Sequence, residues 1–200
     1  MANHFQNLVG VSAAQMPGTE KVFLEIIKDF DLIIELGTDN GGLSMWIYHN
    51  KKAGAVFFTY ELEPSHIQIP KEHELNKCIK YCDCLTPDVI ASIAALIKTG
   101  GKTLFLCDGG SKVIEFGIYS KLIKSGDVIM LHDFADSPDE VNNYKEIKAK
   151  CLLDGSWDGN GFEVHESSLE DIRKGIDDAG LKKYKYIKFL NILWGSFIKS

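Results

Sequence analysis

Residues 31–44 read DLIIELGTDNGGLS. A short apolar run, 31–36, passes into a turn holding Gly37, Gly41 and Gly42, and a helical pattern over 42–50 follows. A run this short, apolar at consecutive positions, suits a strand covered on both faces, as in a parallel sheet. The glycines permit a tight turn and let a ligand approach backbone N–H groups at a helix start. The spacing G-x-x-x-G-G is not the G-x-G-x-x-G dinucleotide fingerprint. It lacks the second glycine that admits a pyrophosphate.

Outward from this stretch the pattern repeats. Four more runs read as buried strands: 55–60 (AVFFTY), 78–82 (CIKYC), 103–107 (TLFLC) and 127–131 (DVIML). Helical segments alternate with them over 20–28, 42–50, 87–99 and 111–124. The first carries Val22, Phe23, Ile26 and Ile27 at helical spacing. The third opens on Thr86 as N-cap with Pro87 in the first turn and closes at Gly100-Gly101. The fourth closes at Ser125-Gly126. Strand–helix alternation predicts right-handed crossovers and a doubly wound sheet. The last quarter differs. A helix is expected over 137–151, a strand over 161–165 and a helix over 168–179. The last helix starts S-x-x-D at Ser168 and Asp171 and stops at Gly180. An apolar, aromatic run follows over 189–198. Two late strands around a helix predict an antiparallel hairpin at the sheet edge.

The chain has 200 residues, which predicts one domain. An N-terminal segment and helix (1–30) would cover the ligand site, 31–135 would form the binding core, and 136–200 the C-terminal helices and hairpin. With 22 basic and 28 acidic residues the net charge is -6, which argues against a broad basic nucleic-acid face. The densest basic stretch, 182–188, is interleaved with Tyr184 and Tyr186 and reads as a solvated helix end or strand edge. Residues 1–10 lack the basic start and apolar core of a signal peptide, and no apolar run approaches the ~20 residues that cross a bilayer. The expectation is a cytoplasmic protein with no membrane partner and reduced thiols at Cys78, Cys82, Cys84, Cys107 and Cys151. The C-x-C pair Cys82/Cys84 lacks the partners of a structural zinc site.

In open α/β sheets ligands bind outside the carboxyl ends of the strands, so the residues just after each strand carry the functional reading. After the first strand come Glu35, Gly37, Thr38 and Gly41. After the second comes Glu61, where an acid can accept both hydroxyls of a ribose or stand as a solvated carboxylate. After the third comes Asp83, suited to an adenine amino group or to an N-terminal cap. After the fourth, Asp108 opens DGGSK, ending in Lys112, and after the fifth come His132 and Asp133. Carboxylates from two central strand ends can converge on one point. Oxygen ligands of this kind suit Mg²⁺ or another divalent ion, and His132 can serve as ligand or general base. Ion pairing or capping is the alternative for Asp108 and Asp133.

Taken together, ELGTDNGGLS, ELEP, LFLCDGGSK and SGDVIMLHDF, in this order, resemble the class I S-adenosylmethionine (SAM)-dependent methyltransferases. The branch is the one with cephalosporin-hydroxylase-like proteins and macrocin-type sugar O-methyltransferases, and more remotely the catechol O-methyltransferases. The likeness spans roughly 15–134, with a weaker echo around Trp194. It implies a Rossmann-like, mostly parallel seven-stranded sheet with an antiparallel last strand and helices on both faces. It implies that Glu35, Gly37 and Thr38 surround the methionine part of SAM, that Glu61 takes the ribose hydroxyls and that Asp83 lies near the adenine. Gln15 and Met16 would lie over the cofactor. Asp108 would stand between cofactor and acceptor, and with Asp133 match the acids that hold a divalent ion in metal-dependent relatives. The sequence departs from these relatives at Gly110, which replaces a second acid, at His132, which replaces an acid, and at Phe134, which follows Asp133 where the catechol type has Asn. Lys112 falls one position beyond the lysine that acts as base in the catechol type.

The function expected is SAM-dependent methylation of a hydroxyl on a small molecule, such as a saccharide, a secondary metabolite or a phenol, with homo-oligomer formation left open. Two other classes compete: a nicotinamide-dependent oxidoreductase on a similar sheet, which the missing fingerprint disfavours, and a binding module that keeps the fold without catalysis.

Overall fold

The computed structural model describes residues 5–8, 10–156 and 164–200. A seven-stranded sheet forms from β3 (Leu32–Leu36), β4 (Val56–Glu61), β5 (Ile79–Tyr81), β6 (Thr103–Cys107), β7 (Val128–Leu131), β10 (Leu181–Lys183) and β11 (Gly195–Lys199). Their spatial order is β10-β11-β7-β6-β3-β4-β5. Neighbours from β7 through β5 pair in parallel, and β11 runs antiparallel to both β7 and β10. The order reverses between β3 and β6, the place where open α/β sheets open a crevice. The doubly wound sheet with its antiparallel last strand is therefore as the sequence predicts.

Alternating side chains explain why both faces are covered. Ile33, Leu104, Leu106, Val128 and Met130 pack with Phe23, Trp46, Phe189 and Trp194 on one face. Leu32, Ile34, Leu36, Phe105, Ile129 and Leu131 pack with Ile93, Ile97, Phe116, Tyr119 and Ile172 on the other. The first face carries α1 (Thr19–Leu24) and α2 (Gly42–Asn50), and α7 (Tyr186–Leu190) gives Phe189 to this face and Tyr186 to the other. The second carries α3 (Pro87–Thr99), α4 (Lys112–Tyr119) and α6 (Leu169–Ala179). α5 (Pro138–Asp154) starts on a capping box at Ser137 and Glu140. The capping box at Ser168/Asp171 and the left-handed Gly180 bound α6 as its sequence predicts.

Several elements differ from the sequence expectation. The helix expected over 20–28 ends at Leu24 and continues as a 3₁₀ turn over Ile27–Asp29, because Ile26, Ile27 and Phe30 turn fully into the core. The helix expected over 111–124 stops at Tyr119. Asp127 then fixes the following turn, accepting hydrogen bonds from Thr103 N–H and Lys124 N–H, both at 2.8 Å. The strand expected over 161–165 falls mostly outside the described residues, and Val164 and His165 lie in no strand. Instead β8 (Phe134–Ala135) pairs in parallel with β9 (Ser167–Ser168), and the edge hairpin is built from β10 and β11 with α7 between them. The run 189–198 is thus part helix and part strand. The basic stretch 182–188 supplies the end of an edge strand and part of α7. Near the N-terminus, β1 (Phe5–Leu8) and β2 (Val11–Ala14) form an antiparallel hairpin that the sequence pattern did not reveal. All five cysteines are free thiols. No helix among the described residues is long and apolar enough to cross a membrane.

Candidate active site

The carboxyl ends of β3, β6 and β7 are joined by backbone hydrogen bonds one residue past each strand. Asp108 N–H donates to Leu36 O at 2.9 Å, and His132 N–H donates to Cys107 O at 3.0 Å. Gly37 lies at this seam with φ +88°, and a Cβ there would come within 2.3 Å of the Asp108 carbonyl oxygen. Only glycine fits both the left-handed backbone and the contact. Asp39 and Asp133 also hold left-handed φ values, 48° and 53°. Strain of this kind clusters at binding and catalytic loops.

Two hollows open along this edge. A cavity of about 580 Å³ is lined by 12–16 from β2 and its exit, the turn from Gly37 to Leu43, and Asp108, Lys112, His132 and Asp133. A second of about 420 Å³ is lined by Glu61, Cys82, Asp83 and Cys84 among others. Gly37, Asp39, Asp108, Gly109 and Gly110 line both, so they form a saddle between two lobes.

On the β3 side, Glu35 is buried and takes a hydrogen bond from the Ser44 hydroxyl. Burial pushes its carboxyl up to about 8, against the pull of Ser44 and Thr59. Thr38 shares a hydroxyl hydrogen bond with Thr59 at 2.7 Å. The Glu61 carboxylate accepts four backbone N–H groups: Thr38 at 3.1 Å, Asp39 at 2.9 Å, Leu62 at 2.8 Å and Glu63 at 2.9 Å. It therefore ties the β3 loop to the β4 loop, a structural task the sequence did not disclose. Asp83 accepts Leu85 N–H at 2.8 Å, the capping alternative, while also lining the second hollow.

On the other side, Asp108 Oδ1 lies 2.8 Å from His132 Nδ1, and Asp108 Oδ2 accepts a hydrogen bond from Gln15 Nε2 at 3.0 Å. His132 Nδ1 is 3.5 Å from Asp133 Oδ1. Lys112 Nζ lies 3.1 Å from Asp133 Oδ2 and 2.9 Å from Glu166 Oε2. Burial opposes both cations, but the facing acids outweigh it. Asp108 and Asp133 raise His132, and the same pair with Glu166 hold the Lys112 ammonium well above its ordinary range. Lys112 is thus a cation paired with two acids. Met16 lines the larger hollow, as its place after β2 implies.

Three residues of this side escaped the sequence reading. Glu166 comes from a segment with no periodic signal. Trp194 sits in an apolar, aromatic run that gave it no role beyond a weak family echo, and its ring stacks on His132 with centroids 4.7 Å apart. Glu115 accepts Gly109 N–H and Ser111 N–H at 3.3 and 3.2 Å and is pushed up to about 7 by burial. Its spacing of three from Lys112 was the available signal.

The chain shares its fold with solved structures, O-methyltransferases among them. The D160 form of CmcI with Mg and SAM matches with a TM-score of 0.64 at 14% identity, over 98% of this chain and 76% of that one. A putative caffeoyl-CoA O-methyltransferase from Staphylococcus aureus matches with a TM-score of 0.56 at 16% identity, over 91% and 83%. An O-methyltransferase from Bacillus cereus in complex with SAH matches with a TM-score of 0.52 at 15% identity, over 92% and 81%. The fold is that of the class I methyltransferases. No protein-family model matches the sequence, and neither does any curated protein.

Proposed function

We propose that this protein is a SAM-dependent methyltransferase acting on a hydroxyl of a small molecule. The observation that carries this reading is the pair of hollows meeting over Gly37 and Gly109, since SAM is itself a two-lobed ligand. The saddle has no side chain at either glycine. A Cβ on Gly109 would come within 2.2 Å of Glu115 Oε1, just as one on Gly37 would strike Asp108. Glu35, Gly37, Thr38 and Gly41 would hold the methionine end, with Met16 closing the cavity from the N-terminal side. Glu61 and Asp83 would face the adenosine. The fold likeness to structures solved with SAM or SAH supports this placement.

Asp108, Lys112, His132 and Asp133 form the acceptor side. When bound, SAM supplies an electrophilic methyl group, and the protein's part is to align the acceptor oxygen and exclude water. His132 takes the proton of the acceptor hydroxyl. Lys112 neutralises Asp133 and Glu166 and gives the developing oxyanion a nearby positive charge. The donor set also fits a divalent ion: Asp108, His132 and Asp133 each offer a ligand atom, all within 4.8 Å of one another. Asp108 and Asp133 would hold it, and such an ion lowers the pKa of a bound hydroxyl.

Calorimetric titration with SAM, S-adenosylhomocysteine and NADH tests the reading. Binding of SAM and S-adenosylhomocysteine is expected. Binding of NADH alone would move the protein to the oxidoreductases, and binding of none would leave a non-catalytic module.

A further inference from the structure

The acceptor side contains a chain of hydrogen bonds whose direction is fixed by chemistry. Trp194 is fully buried, and its indole Nε1–H can only donate. It donates to Gln15 Oε1 at 2.9 Å. This settles which end of the Gln15 amide is which, so its NH₂ faces Asp108 and donates to Oδ2 at 3.0 Å. The Asp108 carboxylate can then only accept at Oδ1, and the atom 2.8 Å away is His132 Nδ1. In the neutral imidazole that nitrogen must carry the proton, which leaves the lone pair on Nε2. His132 Nε2 is buried and has no hydrogen-bond partner among the described residues. A buried polar atom without a partner is costly and calls for a reason. A proton acceptor kept for a substrate hydroxyl supplies that reason. The stack of the indole on the imidazole, 30° from parallel, restricts the ring's tilt as well.

We propose that Gln15 and Trp194 are positioning residues, which act through Asp108 to hold His132 with its proton on Nδ1 and its Nε2 lone pair free for the acceptor hydroxyl. Gln15 thereby serves the acceptor side rather than covering the cofactor, and it ties the β2 segment to the start of β11 across the cavity. The use of that lone pair rests on the methyl-transfer reading; the tautomer does not.

Long-range ¹H–¹⁵N NMR of the full-length protein reads the tautomer of His132 directly, at about pH 9, above the ordinary imidazole titration. The acidic and basic groups facing the ring, Asp108, Asp133 and Lys112, are left in place. The wild type is expected to show the Nδ1–H form in large excess. Gln15→Leu removes both of its hydrogen bonds, and Trp194→Phe removes the fixing donor while keeping an aromatic ring. Each is expected to lower the ratio of Nδ1–H to Nε2–H forms at least threefold. Both should leave the calorimetric Kd for SAM within about threefold of wild type, while kcat on an acceptor found by screening hydroxylated compounds falls at least tenfold. Gln15→Glu, which can accept from Trp194 but cannot donate to Asp108 when ionised, should act like Gln15→Leu. A wild-type His132 with its proton on Nε2 overturns the proposal. So does a wild-type-like tautomer in folded Gln15→Leu and Trp194→Phe, or a weakened SAM affinity with the tautomer unchanged. Should the wild type show the expected tautomer but bind no SAM, the methyl-transfer reading alone fails.

Discussion

The two sides of the cavity are built on different principles. The β3 side is made of backbone: a glycine turn, a left-handed Asp39, and a carboxylate from β4 that gathers four N–H groups. All of it comes from residues 35–63. The acceptor side is made of side chains drawn from residues as far apart as Gln15, Asp108, Glu166 and Trp194. A backbone site is set by local sequence and fails when one residue cannot adopt the turn. A side-chain site is set by packing at long range and fails by degrees. The difference can be broken or sharpened by substitution, and the backbone side should give the largest effect.

Gly37→Val combines a positive φ with a Cβ driven into the Asp108 carbonyl. SAM binding is expected to be lost, with the urea midpoint lowered as well, because the seam between β3 and β6 must open. Wild-type SAM affinity by calorimetry in this variant would remove the turn from the cofactor site.

Glu35 gives an effect on the order of a few kcal/mol, visible in pH rather than in binding. Its folded carboxyl titrates at about 8, above the ordinary 4.5, because it is buried. A group raised in this way favours the folded state fully below its unfolded pKa, and that contribution is lost as pH rises through the folded one. Stability should therefore fall between about pH 4.5 and pH 8, and the fall should flatten in Glu35→Gln. Urea unfolding of both proteins at several pH values checks this. Parallel curves would mean that Glu35 ionises in place at little cost.

The same contrast explains what could be read from the sequence. The strands at 32–36 and 103–107 were legible because their side chains are apolar at nearly every position, and Gly37, Gly41 and Gly42 announced the turn. Asp108, His132 and Asp133 were found by position alone, since the carboxyl edge of a parallel sheet is where they had to be. The partners that set their protonation were not legible. Trp194 lies in an apolar run that serves equally as core, and Glu166 follows no period. The hairpin of β1 and β2 is too short for alternation to stand out. The helix expected over 20–28 broke because Ile26 and Ile27 gain more from burial than from continuing the helical turn.

On the acceptor side, Asp133→Asn should lower turnover by about 10- to 100-fold while SAM affinity holds. Asparagine tolerates the φ of 53° at this position, so the change tests charge rather than backbone. Lys112 loses its partner at 3.1 Å, and the site loses a carboxylate suited to a divalent ion. Adding EDTA to the wild type separates the two contributions: suppressed turnover with intact SAM binding assigns the larger part to an ion, and unchanged turnover assigns it to Lys112. Full activity in Asp133→Asn would leave Asp133 a structural acid.

Glu61→Ala should give the smallest effect, about 1 to 2 kcal/mol, and it tests whether the two sides are as separate as the geometry implies. The carboxylate does two things that the substitution removes together. It accepts Thr38 and Asp39 N–H from the β3 loop, and it closes the β4 loop through Leu62 and Glu63 N–H. Because three of these N–H groups, all but that of the buried Thr38, lie in exposed loops, water can replace the carboxylate there, and the cost per bond stays small. SAM affinity should therefore weaken in part through a loosened Thr38–Asp39 turn and in part through lost ribose contacts. Glu61→Gln divides them, since its amide oxygen can still accept from one loop while its NH₂ faces the other with the wrong polarity. The outcome expected is weaker SAM binding in both variants, with Ala the weaker, and an unchanged His132 tautomer. A tautomer shifted by Glu61→Ala would show that the backbone side and the acceptor side are one coupled unit. SAM affinity unchanged in both variants would leave Glu61 with the loop closure alone.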